Sequence, residues 1–594
     1  NDGPVPPRTS RRTTAMGGAV RANAALILLS RLALTVAQPS PYPTPFPTFG
    51  PTPVPSPAPT WGANRGATAI VLFSTAIICL IVPGLGLYHA GLSRSLDAVN
   101  AIAMKIIALA AVAFQWFLVG WTLCFSGAMH IRPFSHTYQL EIGSLQRMLL
   151  WDTRVDEGMW DGKSHVSQRA YCIFQLSFAI IAPCLLSSAV ACRLRPVPWF
   201  IFVLLWTTFV YDPVVFWVWN YEGWLYRYGV IDYAGALPLL IASGASGFVL
   251  SAFVGNRPSF RDFEDDVHHS TPTALVGSVM VWFGWVGLML GAALSADEEG
   301  EQATISAHIS SAASLAAWMV LEQRELGYMT SSCITHGTIV GVVAVLASGP
   351  YVAPAGSIIM GAIASVATYY GRRLTKHPRL RVDDTFEAFG FYFFAGMTSL
   401  LLTGVFAYYF GPDGMVKGDA LQPWRQLVAM VAVTLYSGGA TFILAVAISI
   451  FMRIRTTSEE EEEGVDIALH QQSIMYDKYG ENLHEAKLGS FANYWWDDWL
   501  YIWSVLVALW GVVVAVALAV LASIVVCCES CTMAIKSCLT SGCGFFYRSI
   551  WSVEEKRRQA AVRVGLRQGQ PTLPDASESD SDGEDYGGDS DEDF

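Results

Sequence analysis

Long apolar runs separated by short polar connectors set the pattern of this chain. Eleven runs are long enough to cross a bilayer: 67–91, 101–126, 170–191, 197–219, 230–254, 272–294, 303–321, 331–348, 351–371, 385–410 and 425–452. Each is expected to be a helix, because a backbone in lipid must satisfy its hydrogen bonds within itself. Two of the runs open on an acid: VIDYAGALPLLIASGASGFVLSAFVG starts at Asp232 and carries the small residues Ala234, Gly235, Gly244 and Gly247, and DDTFEAFGFYFFAGMTSLLLTGVF starts at Asp383 and Asp384. Eight residues after each aspartate, about two helical turns on and roughly on the same face, stand Leu240 and Tyr392. Acid-headed, glycine-rich spans at matching places in two halves suggest a transporter or channel with its pore between repeats.

The connectors add an orientation. Those after spans one, three, five, seven and nine carry Arg94, Arg193, Arg195, Arg257, Arg261, Arg324 and the cluster Arg372, Arg373, Lys376, Arg379 and Arg381. SADEEGEQA and SGPYVAP, after spans six and eight, carry no basic residue, so the positive-inside rule places the N-terminus outside and residue 453 in the cytosol. Composition agrees with an integral membrane protein: of 594 residues 53% are hydrophobic and 14% charged. The net charge of -12 is local, since ten Asp and Glu lie from Asp575 onward, which removes any case for a nucleic-acid-binding core. The loop at about 130–168 has no cysteine, so no disulfide framework is implied.

The ends read differently from the middle. Residues 1–66 form a leader in which 16–37 is signal-like, or else low-complexity, followed by the proline-dense PSPYPTPFPTFGPTPVPSPAP. The membrane domain covers 67–452, and 453–495 reads as a cytosolic regulatory tail. A further apolar helix is expected within 496–530, headed by WWDDWLYIW, as a twelfth crossing or a helix folded back on the membrane surface. Residues 531–594 are cysteine-rich, basic, then acidic and disordered by composition; the cysteines suit S-palmitoylation and Ser577, Ser579, Ser581 and Ser590 suit kinases if cytosolic.

Several motifs give the chain a resemblance to the Amt/Mep/Rh ammonium transporter family over roughly 67–478: PGLGLYHAGL at 83–92, FQLSFAIIAP at 174–183, VYDPVVFWVW at 210–219, DYAG at 232–235, WFGWVG at 282–287, DDTFEAFG at 383–390 and EEEGVDIALH in the tail. The resemblance implies an all-α polytopic membrane protein of eleven transmembrane helices in two inverted five-helix repeats, assembled as a homotrimer in the plasma membrane, each subunit with a narrow hydrophobic pore for ammonium or ammonia. Trp219, Phe174 and Phe178 match the family's vestibule and upper gate, where aromatic faces favour a partly desolvated cation by about 1–2 kcal/mol. Aromatics at this spacing are alternatively plain lipid or core packing. Asp232 matches the recruitment-site aspartate, with a capping carboxylate as the equal alternative, and Asp384 and Glu387 match the acids of the second repeat. Glu463, Gly464, Asp466 and His470 match a tail that couples subunits, whereas Glu459 to Glu461 read as a solvated run.

The departures fall on the pore. Leu240 and Tyr392 stand where the family has two facing histidines. Leucine can neither donate nor accept a proton, and a phenol relays protons poorly at neutral pH. Leu288 replaces the second gate phenylalanine, Met289 an asparagine and Ala292 a vestibule serine, while Asp212, His89 and His336 are polar arrivals elsewhere. Three functions follow: ammonium or ammonia transport by an altered mechanism, a non-conducting ammonium sensor or receptor, or a channel for another small neutral solute or gas. The chain shows no nucleophile triad, phosphate-cradling loop or metal-ligand set, so neither an enzyme nor a cofactor is expected.

Overall fold

The structure, a computed structural model, describes residues 65–131, 138–150, 166–258, 260, 269–377 and 379–470. The leader, the apolar run within 496–530, the cysteine cluster and the acidic tail lie outside the described residues. Each of the eleven apolar runs coincides with a helical segment: α1 Arg65–Leu92, α2 Ala98–Phe125, α3 Gln168–Val190, α4 Pro196–Tyr228, α5 Ala236–Val254, α6 Thr271–Gly291, α7 Glu298–Glu325, α8 Ser331–Ala344, α9 Pro354–Thr375, α10 Ala388–Phe406 and α11 Gln422–Phe451. Nine of these are both long and apolar enough to cross a membrane; α8 and α9 are the two that are not counted among them. With 14 residues α8 is about 21 Å long, short of a hydrocarbon core. Within the predicted loop at 130–168, a small hairpin pairs β1 Ala128–Ile131 with β2 Tyr138–Gly143.

Polarity is arranged as a membrane demands. Large apolar side chains such as Phe73, Leu435, Ile443 and Ile450 point outward, while Ser187, Ser243, Ser246 and Thr441 are buried between helices. Close approach fixes the contact of α1 with α6, where a Cβ on Gly277 would collide with the backbone N of Tyr88. Connectors sort onto two faces. Residues from the loops after α4, α6 and α10 line one cavity, whereas those after α3, α5 and α9 are tied together elsewhere by Arg193, Arg257 and Asp383, and the connector after α1 pairs its own Arg94 with Asp97. The first may be called the cavity face, the second the basic face.

The two acid-headed spans correct the simple helical reading. Asp232 is not the first residue of a helix: Gly229 to Gly235 are non-helical, Gly235 takes φ +92°, and α5 begins with a π-helical turn, Ala236–Ile241. The same construction recurs at Asp384, where Glu387 takes φ +58° and α10 begins with the π-turn Ala388–Phe393. A π-turn holds an extra residue, so eight positions no longer equal two turns. Leu240 and Tyr392 nevertheless occupy the same place in their respective π-turns, each the fifth residue of six.

Candidate functional site

On the cavity face a space of about 950 Å³ opens inward. Its inner wall is aromatic because α3 presents Phe174 and Phe178 one turn apart, with ring centroids 4.9 Å from each other, and the end of the continuous helical part of α4 brings Trp219 edge-on to Phe178 at 5.6 Å. Trp219 is held in place by donating from Nε1 to the backbone carbonyl of Asp232 at 2.9 Å. Phe174, Phe178, Trp219, Asp232 and Ala292 all line this cavity; Leu288, fully buried, is not among the lining residues. Asp297 and Glu299 at the start of α7 also line it, two acids that the sequence reading passed over as part of a polar connector. Acidic side chains and aromatic faces are both groups that favour a small cation, and this cavity has both in its lining.

Asp232 does not aim its charge into this space. Its Oδ1 accepts from the N–H groups of Gly235 and Ala236 at 2.9 and 2.7 Å, and its Oδ2 from Leu237 at 2.8 Å, so the carboxylate caps the start of α5. Asp384 does the same for α10, accepting from Ala388, Phe389 and Gly390 at 2.7, 2.8 and 3.0 Å. Of the two readings of these acids, capping is the one the geometry carries.

Beneath the cavity the two caps aim their π-turns at each other's helices. Leu240 is fully buried and packs on α10 at Gly396, where an added Cβ would sit 2.8 Å from the leucine Cβ. Tyr392, 1% exposed, neighbours Phe391 at 5.0 Å and lies within electrostatic reach of Tyr88. Of the polar arrivals, His336 stacks on Trp318 at 5.3 Å and approaches Phe391 at 5.2 Å, and His89 stacks on Phe386 at 4.8 Å. Asp212 is remote from this centre, accepting from Gln115 Nε2 at 2.7 Å between α2 and α4. Sequence reading missed Lys105, fully buried in α2; a lone lysine in the middle of an apolar run was the available signal.

The basic face is held by charge. Asp383 accepts from Arg257 at 2.8 and 3.0 Å and lies 3.6 Å from Arg193, which also donates to the backbone carbonyls of Ala189, Gly255 and Asp383. Burial would raise the Asp383 carboxyl, but the two guanidinium groups prevail and hold it below the ordinary carboxylate range. Onto this face docks the tail, α12 Ser458–Glu463 and α13 Val465–His470. Gly464 between them takes φ +106° and touches Leu96 so closely that a Cβ would lie 2.6 Å away. Asp466 accepts from the N–H groups of Val99 and Asn100 at 2.8 and 2.6 Å, capping α2, and His470 Nε2 meets Asn100 Nδ2 at 3.0 Å. Burial pushes Asp466 up to about 6 in spite of those donors, and lowers His470.

The glutamate run divides against expectation. Glu463, predicted to be part of the tail contact, is exposed, while Glu460, expected to be solvated, pairs with Arg195 at 2.6 Å. Glu461 is buried and pairs with Arg455 at 2.8 Å. The α12 helix is six residues long and turns two of its glutamates toward the arginines of the face, so position in the run, not charge, decides which are solvated.

Comparison with known proteins bears on the whole assembly. A model of the Ammonium Transporter Family matches residues 69–475. An ammonium transporter of Bacillus subtilis is 30% identical over 418 residues, covering 70% of this chain and 99% of its own, and ammonium transporter 1 of Schizosaccharomyces pombe is 31% identical over 426, covering 70% and 83%. Among solved structures, that of Saccharomyces cerevisiae Mep2 is similar with a TM-score of 0.60 and 25% identity, covering 67% of this chain and 92% of its own, and a sensor Amt protein shares the fold with a TM-score of 0.62 at 20% identity, covering 68% and 98%. An integral membrane protein with this cavity, these paired caps and these relatives belongs to the ammonium transporter family.

Proposed function

We infer that this chain conducts ammonia derived from ammonium across the plasma membrane, through a narrow apolar path in each subunit of a homotrimer, by a mechanism altered at its centre. All eleven helical segments are taken to cross, in two inverted repeats, with the cavity face and N-terminus outside and the basic face in the cytosol; the arginine connectors support that orientation. The observation that carries the reading is the aromatic cavity, where Trp219, Phe174 and Phe178 meet above the π-turns bearing Leu240 and Tyr392. A bare ammonium ion would lose hydration worth tens of kcal/mol on going further, on the order of an idealised Born cost. Leu240 offers it no hydrogen bond and Tyr392 a single hydroxyl, so what crosses this point is the neutral molecule.

Docking of Asp466 and His470 on α2 supports a regulatory role for the tail, since it ties a cytosolic segment to a pore-forming element. The test is growth of a transport-deficient host on limiting ammonium, alongside the double variant Leu240→His, Tyr392→His. Rescue by the unaltered chain is expected, with uptake in the double variant changed by about tenfold or more, the scale of a positioned proton-transfer group. Absence of flux from a chain confirmed at the cell surface would favour the sensor reading instead, and flux of another neutral solute but not ammonia would favour a different channel.

A further inference from the structure

The cavity is larger and more aromatic than ammonium requires. Its 950 Å³ stands at the upper end of small-molecule pockets, which run from about 300 to 1,000 Å³, whereas ammonium is an ion of water's size. Besides the inner wall, rings reach it from segments remote in sequence: Tyr226 from the end of α4, Tyr233 from the turn ahead of α5, Tyr351 from the turn between α8 and α9, and Phe410 after α10. Two of these are seated by glycines. The Tyr233 and Tyr351 rings meet edge to face with centroids 5.7 Å apart, and a Cβ on Gly349 would collide with the first, one on Gly411 with the second. The Tyr233 hydroxyl donates to the Met289 carbonyl at 2.9 Å, and the Tyr351 carbonyl accepts from the N–H groups of Tyr408 and Tyr409 at 2.7 and 3.0 Å, so both rings are held. Tyr226 and Phe410 are about half exposed. Among them stand Asp297 and Glu299, the first fixed by accepting from Ser295 Oγ at 2.6 Å and from the Glu299 N–H at 3.1 Å. Ala292, Ala293 and Leu294, also in the lining, bring no side-chain acceptor.

This lining suits an alkylated cation. Ammonium has N–H bonds that each need an acceptor; a quaternary ammonium ion has none, carries its charge on methyl groups and is held by aromatic faces. We propose that the cavity binds quaternary ammonium ions, with Tyr226, Tyr351 and Phe410 against the methyl groups and Asp297 and Glu299 as counter-charge, and that such an ion blocks entry. The blocking half rests on the conduction reading, while the binding half stands without it. Ammonium passes the apolar centre by giving up its proton, and a quaternary ion has no proton to give. It therefore keeps its charge and stops in the cavity, above the fully buried Leu240.

The test titrates the full chain in detergent, by calorimetry, with choline and with the neutral alcohol in which a tert-butyl group replaces its trimethylammonium group. Choline should bind saturably and the alcohol about tenfold more weakly or worse; equal affinities, or no saturable binding of choline, overturn the site. Tyr226→Leu combined with Phe410→Leu keeps apolar bulk without the aromatic faces and should raise the choline Kd about tenfold while leaving that of the alcohol unchanged. Glu299→Gln should act in the same direction should the ring variant fail to fold, and a choline affinity untouched by both overturns the assignment. In proteoliposomes, external choline should raise the apparent KM for ammonium at an unchanged maximal rate of internal alkalinisation. Choline that binds while ammonia flux is untouched overturns the block. A chain that binds choline but carries no ammonia refutes the conduction reading, and the block with it, and upholds the binding site.

Discussion

The turns headed by Asp232 and Asp384 are built alike and placed unlike. Each carboxylate takes three backbone N–H groups, each is followed by a left-handed residue, and each launches its helix through a π-turn of six. Their surroundings differ in kind. The first borders an open aromatic cavity and uses glycine at its left-handed position, with Trp219 only about a contact distance away; the second lies under the Arg193, Asp383, Arg257 cluster and puts Glu387 there, paired with Arg372 at 3.5 Å and Lys376 at 3.7 Å. A backbone device can thus be repeated in different settings: one turn borders a cavity, the other a cluster of ion pairs. Asp466 adds a third cap of the same kind on α2, supplied by a segment outside the membrane.

Four measurements would strain this comparison. The largest effect should come from Asp383→Ala, which removes the carboxylate set between the buried Arg193 and Arg257; thermal unfolding in detergent should report a loss of about 3–5 kcal/mol, and an unfolding midpoint close to that of the parent would show that the basic face is not held by this acid. Next, Asp232→Ala and Asp384→Ala each strip three N–H groups of their acceptor and should each cost about 2–4 kcal/mol. Equal losses would confirm that the caps are one device, and a much smaller loss at Asp232 would mean water from the cavity replaces its carboxylate.

Smaller, and unequal between the two turns, are the changes at the left-handed residues. Gly235→Ala should cost about 1–2 kcal/mol, because a Cβ disfavours φ +92° and would press within 3.0 Å of the Trp219 ring. Glu387→Gly should be nearly neutral, the relief of strain offsetting two lost ion pairs. The smallest effect concerns the tail. Docked Asp466 holds its proton up to about pH 6, above the ordinary aspartate value of 3.8, so its contribution favours docking in acid and is lost as pH rises through about 6. His470, lowered by burial, acts in the opposite sense, since protonation as pH falls opposes docking. In a His470→Ala variant only the first trend remains: protection of residues 457–470 against hydrogen exchange should fall, by a few-fold, between pH 4 and pH 7.

Much of the fold was legible because lipid leaves a backbone few choices, and an apolar run of twenty or so residues becomes a helix whatever its neighbours do. Phe174, Phe178 and Trp219 could be placed at a cavity because their motifs keep the family's order. Leu288 is not among the lining residues of that cavity, and which side chains border a cavity depends on how neighbouring helices pack rather than on any one window of sequence. Nor could the glutamate run be read, where Glu460 and Glu461 are chosen over Glu463 by arginines 265 residues and six residues away in sequence.

By itself, then, the sequence determined the helices and the uneven charge of the connectors, both of which are properties of short windows. Only the tertiary structure decided what the acids do. Whether Asp232 serves a cavity or a helix start depends on where three N–H groups point, and that is settled by a left-handed glycine and a π-turn that no periodicity announces. The same holds for Lys105, whose Nζ is buried with no hydrogen-bond partner among the described residues because of what α3 and the Phe386 ring bring up against it.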